Sequence, residues 1–235
     1  MSSAVFRFHG ELDALLAPRR RGRPQQLDCA SHASLKHAIE SLGVPHTEVA
    51  CVRVDGREAS LGDAVTDGST VDVLPAASGA DGPLSFLADA HLGALARRLR
   101  LLGFDTLLAT DGADRELAAI AAGQERILLT RDRELLKHRQ VRRGRFLRAQ
   151  APQAQLEEVA QRYSLRGSEQ PFSRCLECNG LLEPVPRTEV LASLPPAVAA
   201  GQQEFRRCSG CGRVYWPGSH WRRLSAVVAA FRTGA

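Results

Sequence analysis

Two Cys-x-x-Cys pairs constrain this chain more than any other feature. Cys175 and Cys178 form the first, Cys208 and Cys211 the second, with 29 residues (179–207) between them. Four thiolates fill the tetrahedral shell of a zinc ion and leave no position for water, so the pattern predicts one structural zinc. Asn179-Gly180 and Gly212 follow the pairs and let the backbone turn its amides toward the sulfurs. Two disulfides are the competing reading, and they require an oxidising compartment. The 235-residue chain shows no apolar signal-peptide core near Met1 and no long apolar run, where a membrane span needs about eighteen residues or more. A cytoplasmic protein with reduced thiols and no membrane partner is therefore expected. Cys29 and Cys51 lack partner spacing and read as small core residues.

Residues 1–76 read as a small mixed domain. Ala4–His9 alternates like a strand, Ala33–Leu42 carries Leu35, Ile39 and Leu42 on one helical face, and Val49–Val54 and Thr70–Leu74 read as further strands. Asp55-Gly56 and Asp67-Gly68 are turn pairs. Strand, helix, then strands suits a β-grasp domain, interrupted by a solvated Arg19–Pro24 loop. Residues 77–83 are small, polar and Gly/Pro-containing and read as a linker.

Residues 84–167 alternate strand and helix. The strands are Leu84–Ala88, Phe104–Ala109, Arg126–Thr130 and Arg145–Arg148; the helices are Leu92–Leu102, Asp114–Ala122, Arg133–His138 and Pro152–Tyr163. This order predicts an α/β domain with a parallel sheet flanked by helices. Residues 168–235 hold the four cysteines, an aromatic and basic stretch, and a helix-like tail over Ser225–Phe231.

Ligands of an open parallel sheet gather at the carboxyl ends of its strands, and three strands here end in acid. Asp89 follows the first, Asp111 and Asp114 the second, Asp132 the third, with Glu116 and Glu134 within a turn. Converging carboxylates call for a hard divalent cation, Mg²⁺ or Mn²⁺. Capping is the other reading: Asp132 would cap the helix from Arg133, and Asp111 or Asp114 the helix before it. Beyond the acids, Lys137, His138, Arg139, Arg142, Arg143, Arg145 and Arg148 form a basic run suited to phosphates. The fourth strand would take Arg145 and Arg148 partly inward. Net charge is −3 over 1–82, +5 over 83–167 and +3 over 168–235, so a polyanion would meet the later segments first. Tyr215, Trp216, His220, Trp221, Arg222 and Arg223 could stack bases, or the tryptophans could pack the zinc module, which has little core of its own.

Long motifs carry a resemblance. Phe86-Leu87-Ala88-Asp89, then Leu92-Gly93-x-Leu95-Ala96-Arg97-x-Leu99-Arg100-x-Leu102-Gly103-Phe104-Asp105-Thr106, and Ile127-Leu128-Leu129-Thr130-Arg131-Asp132-Arg133-Glu134-Leu135-Leu136 resemble a PIN-like ribonuclease family. It is the family named for the C-terminal domain of the mutator exonuclease. Arg174-Cys175-x-x-Cys178-Asn179-Gly180 and Phe205-x-x-Cys208-x-x-Cys211-Gly212 through Trp221 extend it through a zinc ribbon. Residues 1–76 look like the ubiquitin-like partner often fused to that family. They also resemble β-grasp sulfur carriers, but the chain runs past Pro75 into Ala76-Ala77-Ser78-Gly79 without a terminal Gly-Gly, which favours a docking role. The resemblance implies a metal-dependent endoribonuclease. Asp89, Asp132 and one of Asp111, Asp114 or Glu116, with Asp114 fitting best, would hold Mg²⁺ or Mn²⁺, and Glu134 would be the fourth acid. Thr130 would hydrogen-bond an acid or water. Arg131 would touch the scissile phosphate or pair with a carboxylate, and Arg139, Arg142 and Arg143 would bind RNA. A homodimer and a protein partner for the ubiquitin-like domain are further expectations. The alternative is a non-catalytic RNA-binding or adaptor module.

Overall fold

The computed structural model describes residues 2–76, 78–79, 82–110 and 112–234. Ala77, Ala80 and Asp81 of the expected linker lie outside them. The chain divides into two compact units, Met1–Gly79 with Asp111–Arg148, and Ala80–Thr110 with Ala149–Ala235.

In the first unit, β1 (Ser2–Phe8), β2 (Gln25–Cys29), α1 (Leu35–Ser41), β3 (Val49–Val54), β4 (Arg57–Ala59) and β5 (Thr70–Pro75) build a five-stranded sheet in the order β2-β1-β5-β3-β4. β1 and β5 run parallel at its centre, with Val5 opposite Thr70, and the other pairings are antiparallel. This is a β-grasp sheet with α1 across it. Alternation puts Ala4 and Phe6 of β1 and Val71 and Val73 of β5 into one core with Leu35, Ala38 and Ile39 of α1. Ser34 starts α1 by accepting the His37 amide at 3.2 Å. Gly43, at φ +102°, turns the chain out of it. β2 and β4 were not legible. They are edge strands that bury Gln25 and Cys29 of β2 and only partly bury Leu27 of β2 and Ala59 of β4.

Along the chain follow β6 (Ser85–Ala88), α2 (Gly93–Leu101), β7 (Asp105–Leu108), α3 (Asp114–Gly123), β8 (Ile127–Thr130), α4 (Arg133–Lys137), β9 (Gly144–Phe146) and α5 (Pro152–Tyr163). β6 pairs in parallel with β7, and β8 with β9. Parallel neighbours need a helical crossover, which α2 and α4 supply. Every residue of β8 is buried, as expected where helices cover a parallel sheet. The strand expected at Arg145–Arg148 instead spans Gly144–Phe146. A Cβ at Gly144 would lie 2.6 Å from Leu136 Cδ2, so glycine lets α4 close on β9.

In the second unit, Phe86 of β6 meets Phe104 and Tyr163 edge-on, with ring centroids 6.2 and 5.8 Å away. Gly103 ends α2 at φ +92°, where a Cβ would stand 2.2 Å from the Gln170 carbonyl oxygen. Beyond α5 come β10 (Leu182–Pro184), α6 (Arg187–Val190), α7 (Pro196–Gly201), β11 (Arg206–Cys208), β12 (Val214–Tyr215) and α8 (Ser219–Thr233). β10-β11-β12 form a small antiparallel sheet. α8 begins six residues before the expected tail helix. No described helix is long and apolar enough to cross a membrane.

Candidate functional site

The cysteines sit on two similar turns. Cys175 N–H donates to the Gly180 carbonyl at 2.8 Å and Asn179 N–H to the Cys175 carbonyl at 3.0 Å. In the second turn Cys208 N–H donates to Arg213 at 2.9 Å and Gly212 N–H to Cys208 at 3.0 Å. Asn179 and Gly212, both at φ +72°, supply the left-handed residue that closes each turn. All four sulfurs lie within 4.8 Å of one another. Cys175 and Cys211 are 3.7 Å apart, and Cys178 and Cys208 3.3 Å. Tetrahedral zinc at about 2.3 Å per bond sets sulfurs about 3.8 Å apart, whereas a disulfide needs about 2.05 Å. The thiols are free, and the set could hold one zinc ion.

The electrostatics fit a cation too. Burial opposes ionisation of Cys175, but the Tyr215 hydroxyl at 3.1 Å and the amides of Cys178 and Glu177 prevail, bringing the thiol down to about 6. At Cys178 the Gly180 amide pulls down, while burial and the three neighbouring sulfurs push the thiol up to about 12. Four sulfurs this close cannot all ionise alone, and a divalent cation removes the conflict by displacing the protons. Backbone amides of Gly210 and Cys211 also approach the Cys208 sulfur, at 3.4 and 3.5 Å.

Two residues that tie this centre to α2 and β7 were missed by sequence reasoning. The Asn179 side chain accepts from Thr106 N–H at 3.0 Å and donates to Asp105 at 2.8 Å. Arg100, buried on α2, donates to the carbonyls of Thr106, Leu176 and Glu177 at 2.8, 3.0 and 2.7 Å. The Tyr215 hydroxyl is bound to the Cys175 sulfur, and Tyr215 packs against the Cys175, Leu182 and Cys208 core. A Cys-Asn-Gly string was the one local signal. Trp221 stacks on Phe172 with centroids 3.7 Å apart, and Trp216 packs on the Val185, Val190 and Phe205 cluster. Both tryptophans therefore pack. His220 stands outside the sulfur group, accepting from Arg223 at 3.3 Å.

The acids are placed as follows. Asp132 lies two residues past the end of β8 and caps α4, its Oδ1 accepting Glu134 N–H at 2.8 Å. Its own amide donates to the buried Thr130 hydroxyl at 2.9 Å. Asp114 is the exposed first residue of α3, whose N-cap is Ala113, so Asp114 does not cap. Glu116 is exposed in the same turn, and Asp111 lies outside the described residues. Asp89 follows β6 in the other compact unit, half-buried at the start of the Ala90–Leu92 turn. Among the described residues the cysteines are the group of three or more metal-ligating side chains drawn together; the acids form no such group. Glu134 pairs with Lys137 at 2.6 Å. Arg131, Arg139 and Arg142 are exposed, and Arg143, half-buried, donates to the Glu125 carbonyl at 3.0 Å. Arg145 and Arg148 leave the basic run: Arg145 is buried, and both bind Glu11.

The Mut7-C RNAse domain model matches residues 84–228, and the Mut7-C ubiquitin model residues 1–81. No curated protein matches the chain. Among solved structures, the H. volcanii small archaeal modifier protein 1 is 17% identical, with 32% of this chain covered, 98% of that one, and a TM-score of 0.26. A structure of SAMP1 from Haloferax volcanii is 19% identical, with 34% and 100% covered and a TM-score of 0.27. With the RNase model spanning more than half of its length, the chain belongs to the Mut7-C RNAse domain family, and a Mut7-C ubiquitin-like segment precedes that domain.

Proposed function

We propose that this protein is a metal-dependent endoribonuclease that hydrolyses RNA phosphodiester bonds at Asp89, Asp114 and Asp132, with a structural zinc on Cys175, Cys178, Cys208 and Cys211. The match of the RNase family model over residues 84–228 carries the reading, and acids at the carboxyl ends of β6 and β8 support it. The oxygen donors suit Mg²⁺ or Mn²⁺, which when bound lowers the pKa of water and offsets charge on the phosphate. Asp132, one oxygen of which holds the Glu134 amide, would help to hold the cation. Thr130 orients Asp132 through its backbone. Glu134 adds charge at the rim, and Arg131, Arg139, Arg142 and Arg143 bind phosphates.

Labelled single-stranded and structured RNAs, incubated with Mn²⁺, Mg²⁺ or EDTA, test this. Metal-dependent products are expected, reduced about 100-fold or more by Asp89→Asn or Asp132→Asn. Asparagine caps helices as well as aspartate, so loss in Asp132→Asn reports chemistry rather than unfolding of α4. Variants that cut like wild type would overturn the assignment. Salt-sensitive RNA binding without products would indicate a non-catalytic adaptor.

The zinc assignment has its own test. Tyr215→Phe removes a donor that favours the Cys175 thiolate, so the thiol rises from about 6 toward its ordinary value and protons compete with zinc at higher pH. Affinity should fall about tenfold, and half-release of zinc on acid titration should move to higher pH. An unshifted titration refutes the role of Tyr215.

A further inference from the structure

We propose that the ubiquitin-like segment is a positioning element of the nuclease, holding the Thr130–Arg133 turn so that Asp132 stays in place; this rests on the proposed role of Asp132. Two routes, both within the first compact unit, converge on that turn. The first starts at Glu48, which is 2% exposed. One of its oxygens accepts from Arg145 at 2.6 Å and the other from Phe146 N–H at 2.6 Å. Glu11 grips the same guanidinium at 2.9 and 2.8 Å and takes Arg148 at 3.0 Å. β9 is thus fixed at two successive residues. Phe146 lies opposite Thr130 in the β8–β9 pairing, and Leu147 N–H donates to the Thr130 carbonyl at 2.9 Å. Thr130 in turn accepts the Asp132 amide.

The second route is shorter. Arg133, next to Asp132, donates to the Leu15 carbonyl at 2.6 Å, and its guanidinium lies 4.7 Å above the Phe146 ring. Leu15 ends the Gly10–Leu15 turn that carries Glu11. A third tie, from His46 to the Val141 carbonyl at 2.8 Å, holds the loop between α4 and β9. Phe146 packs on the β-grasp core; the other ties named above are polar and directional. Apolar docking would be the more stabilising choice, because buried ion pairs recover their desolvation cost only with good geometry. What the polar grip supplies is a defined position. A displacement of about 1 Å can cost a catalytic group up to about 100-fold, so holding Asp132 is a function in its own right.

The test uses the full chain with Arg133→Met, which keeps an apolar stem over Phe146 but removes the bond to Leu15, and Arg133→Lys, which keeps a donor. Two readouts are needed: Mn²⁺-dependent RNA cleavage resolved into kcat and KM, and the amide cross-peak of Glu134, whose N–H is bound to Asp132. Arg133→Met is expected to lower kcat about tenfold, leave KM unchanged and move the Glu134 cross-peak, with Arg133→Lys recovering part of both. An unmoved cross-peak, or a rate loss that follows only the folded fraction, overturns the inference. Wild-type protein that cuts no RNA overturns the nuclease reading instead, and the cross-peak still decides whether the segment positions Asp132.

Discussion

Cys208→Ser is expected to reduce bound zinc from about one ion per chain to near zero and to unfold the small β10-β11-β12 sheet. A structural zinc contributes about 10–16 kcal/mol of apparent binding free energy in small zinc peptides, more than the folding stability of most domains. The module has little else to hold it. The core around the sulfurs is Cys175, Leu182 and Cys208 with Tyr215 against it, and the neighbouring cluster has three buried residues, Val185, Val190 and Phe205. Serine is isosteric with cysteine but a poor zinc ligand, so packing is conserved while the metal is lost. The chain's two tryptophans, Trp216 and Trp221, both lie in this module, which makes tryptophan emission a selective probe. Emission should move to longer wavelength in Cys208→Ser, and wild-type protein treated with a chelator should show the same change. Unaltered emission together with retained zinc in the variant would remove the metal from the account.

The second large effect concerns Arg145. Its removal leaves Glu48 buried with no cation beside it, and breaking a buried pair in this way costs about 3–5 kcal/mol. For a chain of this length that corresponds to a fall in melting temperature of about 10 °C. Arg145→Met preserves most of the volume, so the loss measures the stranded carboxylate rather than a cavity. Adding Glu48→Gln should recover part of the loss, because the amide is neutral and its oxygen can still accept from Phe146 N–H. Urea unfolding of both single variants and the double variant closes the cycle. A cost below about 1 kcal/mol for Arg145→Met, in the range of a solvent-screened pair, would show that the Glu11–Arg145–Glu48 network does not secure β9.

Local patterns read well in this chain because their physics is local. α1 was expected over Ala33–Leu42 and found over Leu35–Ser41, with Ser34 as its cap. β6, α2, β7, α3, β8 and α4 emerged from apolar periodicity, helix caps and glycine stops, which act over two to four residues. The edge strands β2 and β4 escaped because each places few apolar residues on a core. The segment between the cysteine pairs escaped for a similar reason: β10, α6, α7 and β11 are each three to six residues long, too short for a period to show.

Among the candidate site residues, the four cysteines were legible because two turns of fixed spacing specify a set of ligands. The same holds for Asp132 as a cap, since the hydrogen bond it makes spans two residues. Other roles were decided by partners far along the chain. Arg145 reads as a cation of the basic run that its strand turns partly inward, but the partners that enclose it, Glu48 and Glu11, lie 97 and 134 residues away. Tyr215 and Trp221 read as aromatics for stacking bases or for packing until Cys175 binds the hydroxyl of the one and Phe172 stacks on the other, and Asn179 reads as a turn residue until β7 engages both ends of its amide. The sequence by itself determined the order of elements from β6 to α4, the four-cysteine set and the acids near the strand ends, because each is written in neighbouring residues. Which cations and aromatics remain available to a substrate was decided only by the tertiary structure, because a side chain's availability depends on what a distant segment brings against it.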